Sequence, residues 1–160
     1  MSLIETLASA RPGSALANAM AKRTEIFRLS QAAHDAVLLP REPGGLSHGL
    51  RAALAARMAR LNRSPALARH YDTLIARAGE TATAPLADPN TNATDRRTAQ
   101  IVGHVDRLTL ATREATRAHV EALREAGVAD PDIVRLAELA AFINYQVRVV
   151  AGLSLLGEVQ

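Results

Sequence analysis

The sequence predicts an all-α domain of six to seven helices, and three observations carry that prediction. Over 123–156, LREAGVADPDIVRLAELAAFINYQVRVVAGLSLL, one helix ends and a long apolar one begins. Alanine, leucine and arginine dominate the chain while aromatics make up only 2%, a composition that favours helix over sheet. No segment alternates apolar and polar residues in the way a half-buried strand requires.

Each element has a local justification. Ser2-Leu3-Ile4-Glu5 reads as a capping box for a short first helix ending near Ala10. Pro12-Gly13 breaks the chain, and Ser14 then caps a longer helix reaching about Leu38. A Pro- and Gly-rich loop follows over 40–45, where Gly44-Gly45 reads as turn chemistry. Ser47 starts a third helix running to about Leu61. Asn62-Arg63-Ser64-Pro65 is a tight joint, with Ser64 as cap and Pro65 at the first position of a fourth helix. Residues 79–91, GETATAPLADPNT, form the longest stretch without a helix signal. They read as a flexible loop or as a segment ordered by a partner subunit. A fifth helix spans roughly Asp95 to Thr112, and Thr116 caps a sixth. Gly127 suits the left-handed residue that closes that helix. Asp130 and Pro131 open the seventh, in which Ile133, Leu136, Ala140, Ile143, Val147 and Val150 recur at helical spacing.

Bulk properties narrow the function classes. The 160 residues make one domain, 1–160, able to bury about two thirds of its unfolded surface. The net charge is only +3, and arginines alternate with carboxylates as on a solvated helical surface. No basic run is interleaved with aromatics, so a nucleic-acid partner is not expected. A helix-turn-helix reading of 52–74 is weakened by the proline in its joint. With no cysteine anywhere, disulfides and thiol chemistry are excluded. The N-terminus has no signal-like pattern and no continuous apolar run approaches about 18 residues, which points to a cytoplasmic protein without a membrane partner.

The 123–156 block resembles the C-terminal helices of the carboxymuconolactone decarboxylase and alkylhydroperoxidase (AhpD-like) family. There a helix–Gly–helix element leads into an aromatic-Asn-…-Arg pattern, matched by Phe142, Asn144 and Arg148. The resemblance extends to 46–74, where redox-active relatives carry a C-x-x-C pair, a following His and a Glu one helix earlier. It implies an AhpD-like helical bundle, free of cofactor, that assembles as a homo-oligomer (dimer, trimer or hexamer). The redox residues themselves are missing. Aligned on Asn62, Ser64 and Leu67 occupy the cysteine positions, with Tyr71 in place of the histidine and His70 beside it. Shifted by one, Arg63 and Ala66 do so, with His70 matching the histidine. Ala52 or Arg51 stands where the Glu belongs. A serine hydroxyl does not cycle through disulfide, so thiol peroxidase activity is expected to be absent.

Two function classes remain. The first is a binding or assembly homologue, for copies of itself or for a cysteine-bearing relative, and the nearly all-round apolar helix end at 147–156 suggests subunit contacts. The alternative is a cofactor-independent decarboxylase or lyase. In it His70 would serve as acid or base, Tyr71 would offer a hydroxyl, and Arg69, Arg148 and Asn144 would hold a carboxylate substrate. Against this, Tyr71 also suits packing and helix arginines are commonly solvated. Asn144 and Arg148, four apart on one face, read better as a buried polar tie, with Arg148 paired to Glu138 or Glu114. His34, His48, His104 and His119 show no metal-ligand spacing.

Overall fold

In the computed structural model, which describes residues 1–158, side chains fix several of the helix starts. Ser2 and Glu5 form the expected capping box, Ser2 N donating to Glu5 Oε2 at 2.6 Å, and α1 runs over Leu3–Ala8. Ser14 caps α2 (Ala15–Ala21) by accepting from Ala17 N at 3.1 Å. That helix does not continue to Leu38. Thr24 Oγ1 takes the Ala21 carbonyl at 2.9 Å, the chain turns at Lys22-Arg23, and a separate α3 spans Thr24–Leu38. This break raises the count to eight α-helices among the described residues, with no strand.

The remaining helices are α4 (His48–Leu61), α5 (Pro65–Ala78), α6 (Arg96–Leu110), α7 (Arg117–Glu125) and α8 (Asp130–Glu158). Pro65 opens α5 as expected, but the Ser64 hydroxyl accepts no capping hydrogen bond. Asp130 is likewise not a cap. It lies inside α8, and its carboxylate accepts from Arg124 Nε at 2.6 Å instead. Gly127, at φ +83°, closes α7 with Val128 N donating back to Leu123 O at 3.0 Å.

Helix α4 is the centre of the molecule, buried at every position from Gly49 to Ala59. Its alanines at 52, 53, 55, 56 and 59 keep the cylinder thin, so that α3, α5, α6, α8 and the 79–95 strap all pack against it. Leu54 and Met58 are fully buried there, each contributing about 1.5–3 kcal/mol.

The buried span of this helix leaves Arg51 and Arg57 no route to water, so these two depart from the expectation that helix arginines are commonly solvated. Arg57 is 3% exposed and grips Asp106 of α6 with two hydrogen bonds of 2.7 Å. Its remaining donors reach the carbonyls of Leu86, Asp88, Pro89 and Thr91 at 2.7–3.3 Å. Residues 79–91 are therefore an ordered strap held within the chain, with a 3-10 turn at Ala84–Ala87. Its other end is tied by Glu80, which accepts from Gly49 N at 2.9 Å and from the Ser47 hydroxyl, placing an anion at the α4 N-terminus. Arg51 plays the same part for the α3–α4 link, donating to Val37, Pro43 and Leu46 carbonyls at 2.8–3.0 Å. Burial and nearby Arg135 lower its pKa, but a guanidinium stays charged at any physiological pH. Gly44-Gly45 is also more than a turn. The buried Asp132 carboxylate accepts from Gly45 N at 3.0 Å, and a Cβ at Gly45 would collide with that carboxylate.

Among the described residues, α8 alone is long and apolar enough to cross a membrane, which a search for uninterrupted apolar runs overlooks. Its inward face is covered by α1, α3, α4 and α6.

Replacing Arg57 tests this architecture. Arg57→Ala strands Asp106 and four strap carbonyls, so urea denaturation should show a loss of about 3–5 kcal/mol. Arg57→Lys should recover only part of it, because an ammonium cannot fork onto one carboxylate and several carbonyls. A loss below about 1 kcal/mol, the scale of a surface pair, would mean that the strap is held by other contacts.

Candidate functional site

Two of the sequence-derived candidates, His70 and Tyr71, lie where α5 meets α3 and α8. On α3, Phe27, Ser30, His34 and Leu38 are buried together on the inward stripe. This carries His34 into the core, 3% exposed, with its Nε2 atom 3.1 Å from His70 Nε2 on α5. His34 Nδ1 lies 2.9 Å from Asp35 Oδ1, and Gln31 Nε2 donates to that same oxygen at 2.9 Å. Gln31 is fixed in turn by Leu3 N, which donates to its Oε1 at 2.9 Å.

This network assigns protons. A carboxylate only accepts, so the 2.9 Å contact to Asp35 outweighs the 3.3 Å approach of Gln31 Nε2 and puts a proton on His34 Nδ1. In the neutral ring Nε2 is then the lone pair. His70 then donates from Nε2. Burial, then the neighbouring His34 and Arg77, push the His70 pKa down to about 4. At neutral pH it is an uncharged imidazole, already committed through one nitrogen.

Tyr71 is fully buried, and its hydroxyl donates to Gln146 Oε1 on α8. Burial raises its pKa far above the usual phenol value, so it stays protonated. Its ring stacks on His34 at a centroid distance of 6.2 Å and an interplanar angle of 15°. Phe142 meets the same imidazole edge-on at 6.2 Å.

Asn144 is buried and ties α8 to the end of α4. It accepts from Asn62 Nδ2 at 3.0 Å and donates to the Ala140 carbonyl at 2.9 Å. Arg148 is exposed and pairs with neither Glu138 nor Glu114. Its Nη1 donates to the Asn144 carbonyl at 2.8 Å. Together they line an open groove of about 420 Å³ with Leu108, Ala137, Ala141 and Tyr145. Neither His70 nor Tyr71 lines it. Arg69 is exposed on α5, with no hydrogen bond or ion pair among the described residues. The five candidates are thus divided between a buried imidazole–phenol core, an outer groove and the free surface.

At the positions set against a C-x-x-C pair in the first register, Leu67 is fully buried and the Ser64 hydroxyl makes no capping hydrogen bond at the α5 N-terminus. In the other register Arg63 holds the left-handed conformation, φ +56°, and Ala66 is half-buried. Neither residue at the Glu position is acidic, and both Arg51 and Ala52 are buried. The residues missed from the sequence are His34, Asp35 and Gln31. The available signal was a histidine on an otherwise core-forming stripe, spaced 27-30-34-38.

Solved structures share this architecture, two of them described as follows. One is titled as an alkylhydroperoxidase AhpD core, an uncharacterized peroxidase-related protein from Ralstonia eutropha JMP134. It superposes with a TM-score of 0.71 at 24% identity, over 84% of this chain and 71% of the other. The second, an uncharacterized peroxidase-related protein from Silicibacter sp. TM1040, gives a TM-score of 0.70 at 20% identity, over 81% of this chain and 68% of the other. No family model and no curated protein matches the sequence. The chain has the AhpD-like fold and carries no cysteine.

Two outcomes follow for the buried core. Folded His70 takes up its proton near pH 4, whereas the unfolded chain does so near 6.5. The unfolded state therefore binds more protons in that window, and the His70 contribution to stability is lost as pH falls from about 6.5 toward 4. NMR of the imidazole ring should show the low midpoint, and one at the ordinary value would contradict the geometry. Separately, Tyr71→Phe leaves Gln146 Oε1 buried without its donor and should cost about 1–3 kcal/mol in denaturant titration.

Proposed function

We propose that this chain is a cysteine-free member of the AhpD-like/carboxymuconolactone decarboxylase group that acts as a binding or assembly homologue and not as a thiol peroxidase. The observation carrying this reading is where the candidate chemistry is spent. His70 Nε2 engages His34, the Tyr71 hydroxyl engages Gln146, and the Asn144 amide engages Asn62. Groups that could move protons or hold a substrate serve instead as internal ties.

Homo-oligomer formation is part of the proposal, supported by the outer face of α8. Val134, Tyr145, Leu155 and Leu156 are 40–62% exposed there, flanked by the small residues Ala137, Ala141 and Gly152. Spacings of three and four place them along one side of the helix. A side of that kind, on a chain of mixed and nearly balanced charge, suits protein contacts in the cytoplasm better than nucleic acid or membrane. A cysteine-bearing relative is the natural hetero-partner in this reading.

One observation favours the rival, a cofactor-independent decarboxylase or lyase. The Asp35–His34–His70 chain leaves His70 Nδ1 as a lone pair, the form a general base requires. The exclusion of His70 from the groove lined by Asn144 and Arg148 weighs against it.

Native mass spectrometry and a peroxide-reduction assay separate these readings. The assembly reading expects an oligomer in the wild type and in His70→Ala, its dissociation by Leu155→Asp, and peroxide reduction at background. A monomeric wild type, or robust thiol-dependent turnover, would overturn it. Decarboxylation of an aromatic or lactone carboxylate that disappears in His70→Ala would establish the rival.

A further inference from the structure

We propose that His34 and His70 form the protein half of a binding site for a first-row divalent transition-metal ion of the zinc or copper(II) class. The inference is independent of whether the chain assembles or catalyses, and it begins with two imidazoles from different helices. Their Nε2 atoms lie 3.1 Å apart, although the residues are 36 positions apart in sequence. Zinc–imidazole bonds of about 2.0–2.1 Å at a tetrahedral angle place two ligand nitrogens roughly 3.3–3.4 Å apart. A separation a few tenths of an ångström wider than the one observed would admit the ion, within reach of small side-chain adjustments.

The surroundings match what a metal-ligating histidine needs. Asp35 takes the Nδ1 proton of His34 at 2.9 Å, which fixes the tautomer and leaves Nε2 free to coordinate. A carboxylate–histidine–metal arrangement of this kind orients the ring and raises its basicity as a ligand. Here the carboxylate is itself anchored, through Gln31 and then the Leu3 amide of α1. Tyr71 and Phe142 wall the His34 ring with aromatic surface, and imidazole is the ligand type that zinc, copper and nickel favour. His34 is buried while His70 is only partly so.

Among the described residues no third His, Cys, Asp or Glu completes the set. The ion therefore keeps open positions for water or an exogenous anion, the pattern of a reactive centre more than of a structural one. When it binds, His70 changes tautomer: its Nε2 proton goes to solvent while its Nδ1 takes one up, so both rings stay neutral and both Nε2 lone pairs turn to the metal.

The test uses tag-free, metal-stripped protein of full length, titrated calorimetrically with zinc chloride and followed by electron paramagnetic resonance with copper(II). One ion per chain should bind. His70→Ala should abolish binding, Asp35→Asn should weaken it about 10–100-fold, and His119→Ala on α7 should leave it unchanged. Long-range nitrogen NMR of the wild type guards against a His34 variant that fails to fold. Zinc should move the Nε2 signals of both His34 and His70. No saturable binding by the wild type, undiminished binding by His70→Ala, or zinc shifts absent from both imidazoles would each overturn the proposal.

Discussion

A guanidinium buried inside a helix that is covered on every side must find its hydrogen-bond acceptors in the protein, and the fold is arranged around that requirement. Arg57 cannot reach water from the middle of α4, so Asp106 and four backbone carbonyls come to it. The carbonyls belong to the one long segment without regular helix, and meeting them gives that segment its path. The carboxylate belongs to α6, so the same side chain positions a helix. Arg51, earlier in the same helix, does likewise for the link between α3 and α4. Leaving either charge without partners inside a low-dielectric core would cost more than most single packing contacts contribute.

Around this centre, residues at the positions that the sequence resemblance singles out hold helices together. Leu67 packs where one alignment places a thiol, and Arg51 clamps a loop where one places a carboxylate. Asn144 bridges to the α4–α5 joint, and Tyr71 ties α5 to α8. The exception is the imidazole pair. Its geometry is tight and its proton positions are fixed from outside, and packing alone does not require a carboxylate behind a histidine that faces another histidine.

How much of this was legible in the sequence depended on range. Features acting over three to six residues were readable: the Ser2–Glu5 capping box, Ser14 and Ser47 at their helix starts, Pro65 in a first turn, Gly127 closing a helix. The all-α class followed from those, and the AhpD-like architecture from the family resemblance of the 123–156 and 46–74 blocks. The break at Lys22-Arg23 was not readable, since it has neither glycine nor proline and rests on a threonine hydroxyl. Nor were the ties that define the site. Asn62 meets Asn144 across 82 positions and His34 meets His70 across 36, and no spacing rule signals such pairs. Arg57 was the hardest, because an arginine in an alanine-rich helix looks solvated until the helix is known to be central.

Amide hydrogen exchange on the isolated chain tests the role of Arg57 most directly. The backbone amides of Leu86, Asp88 and Thr91 donate only within short turns of the strap. If Arg57 holds the strap to the core, these amides should exchange slowly, opening together with α4 at the free energy of global unfolding. Rapid exchange of the strap while α4 stays protected would contradict the account, and would make the buried guanidinium a passenger in a core held by apolar packing alone.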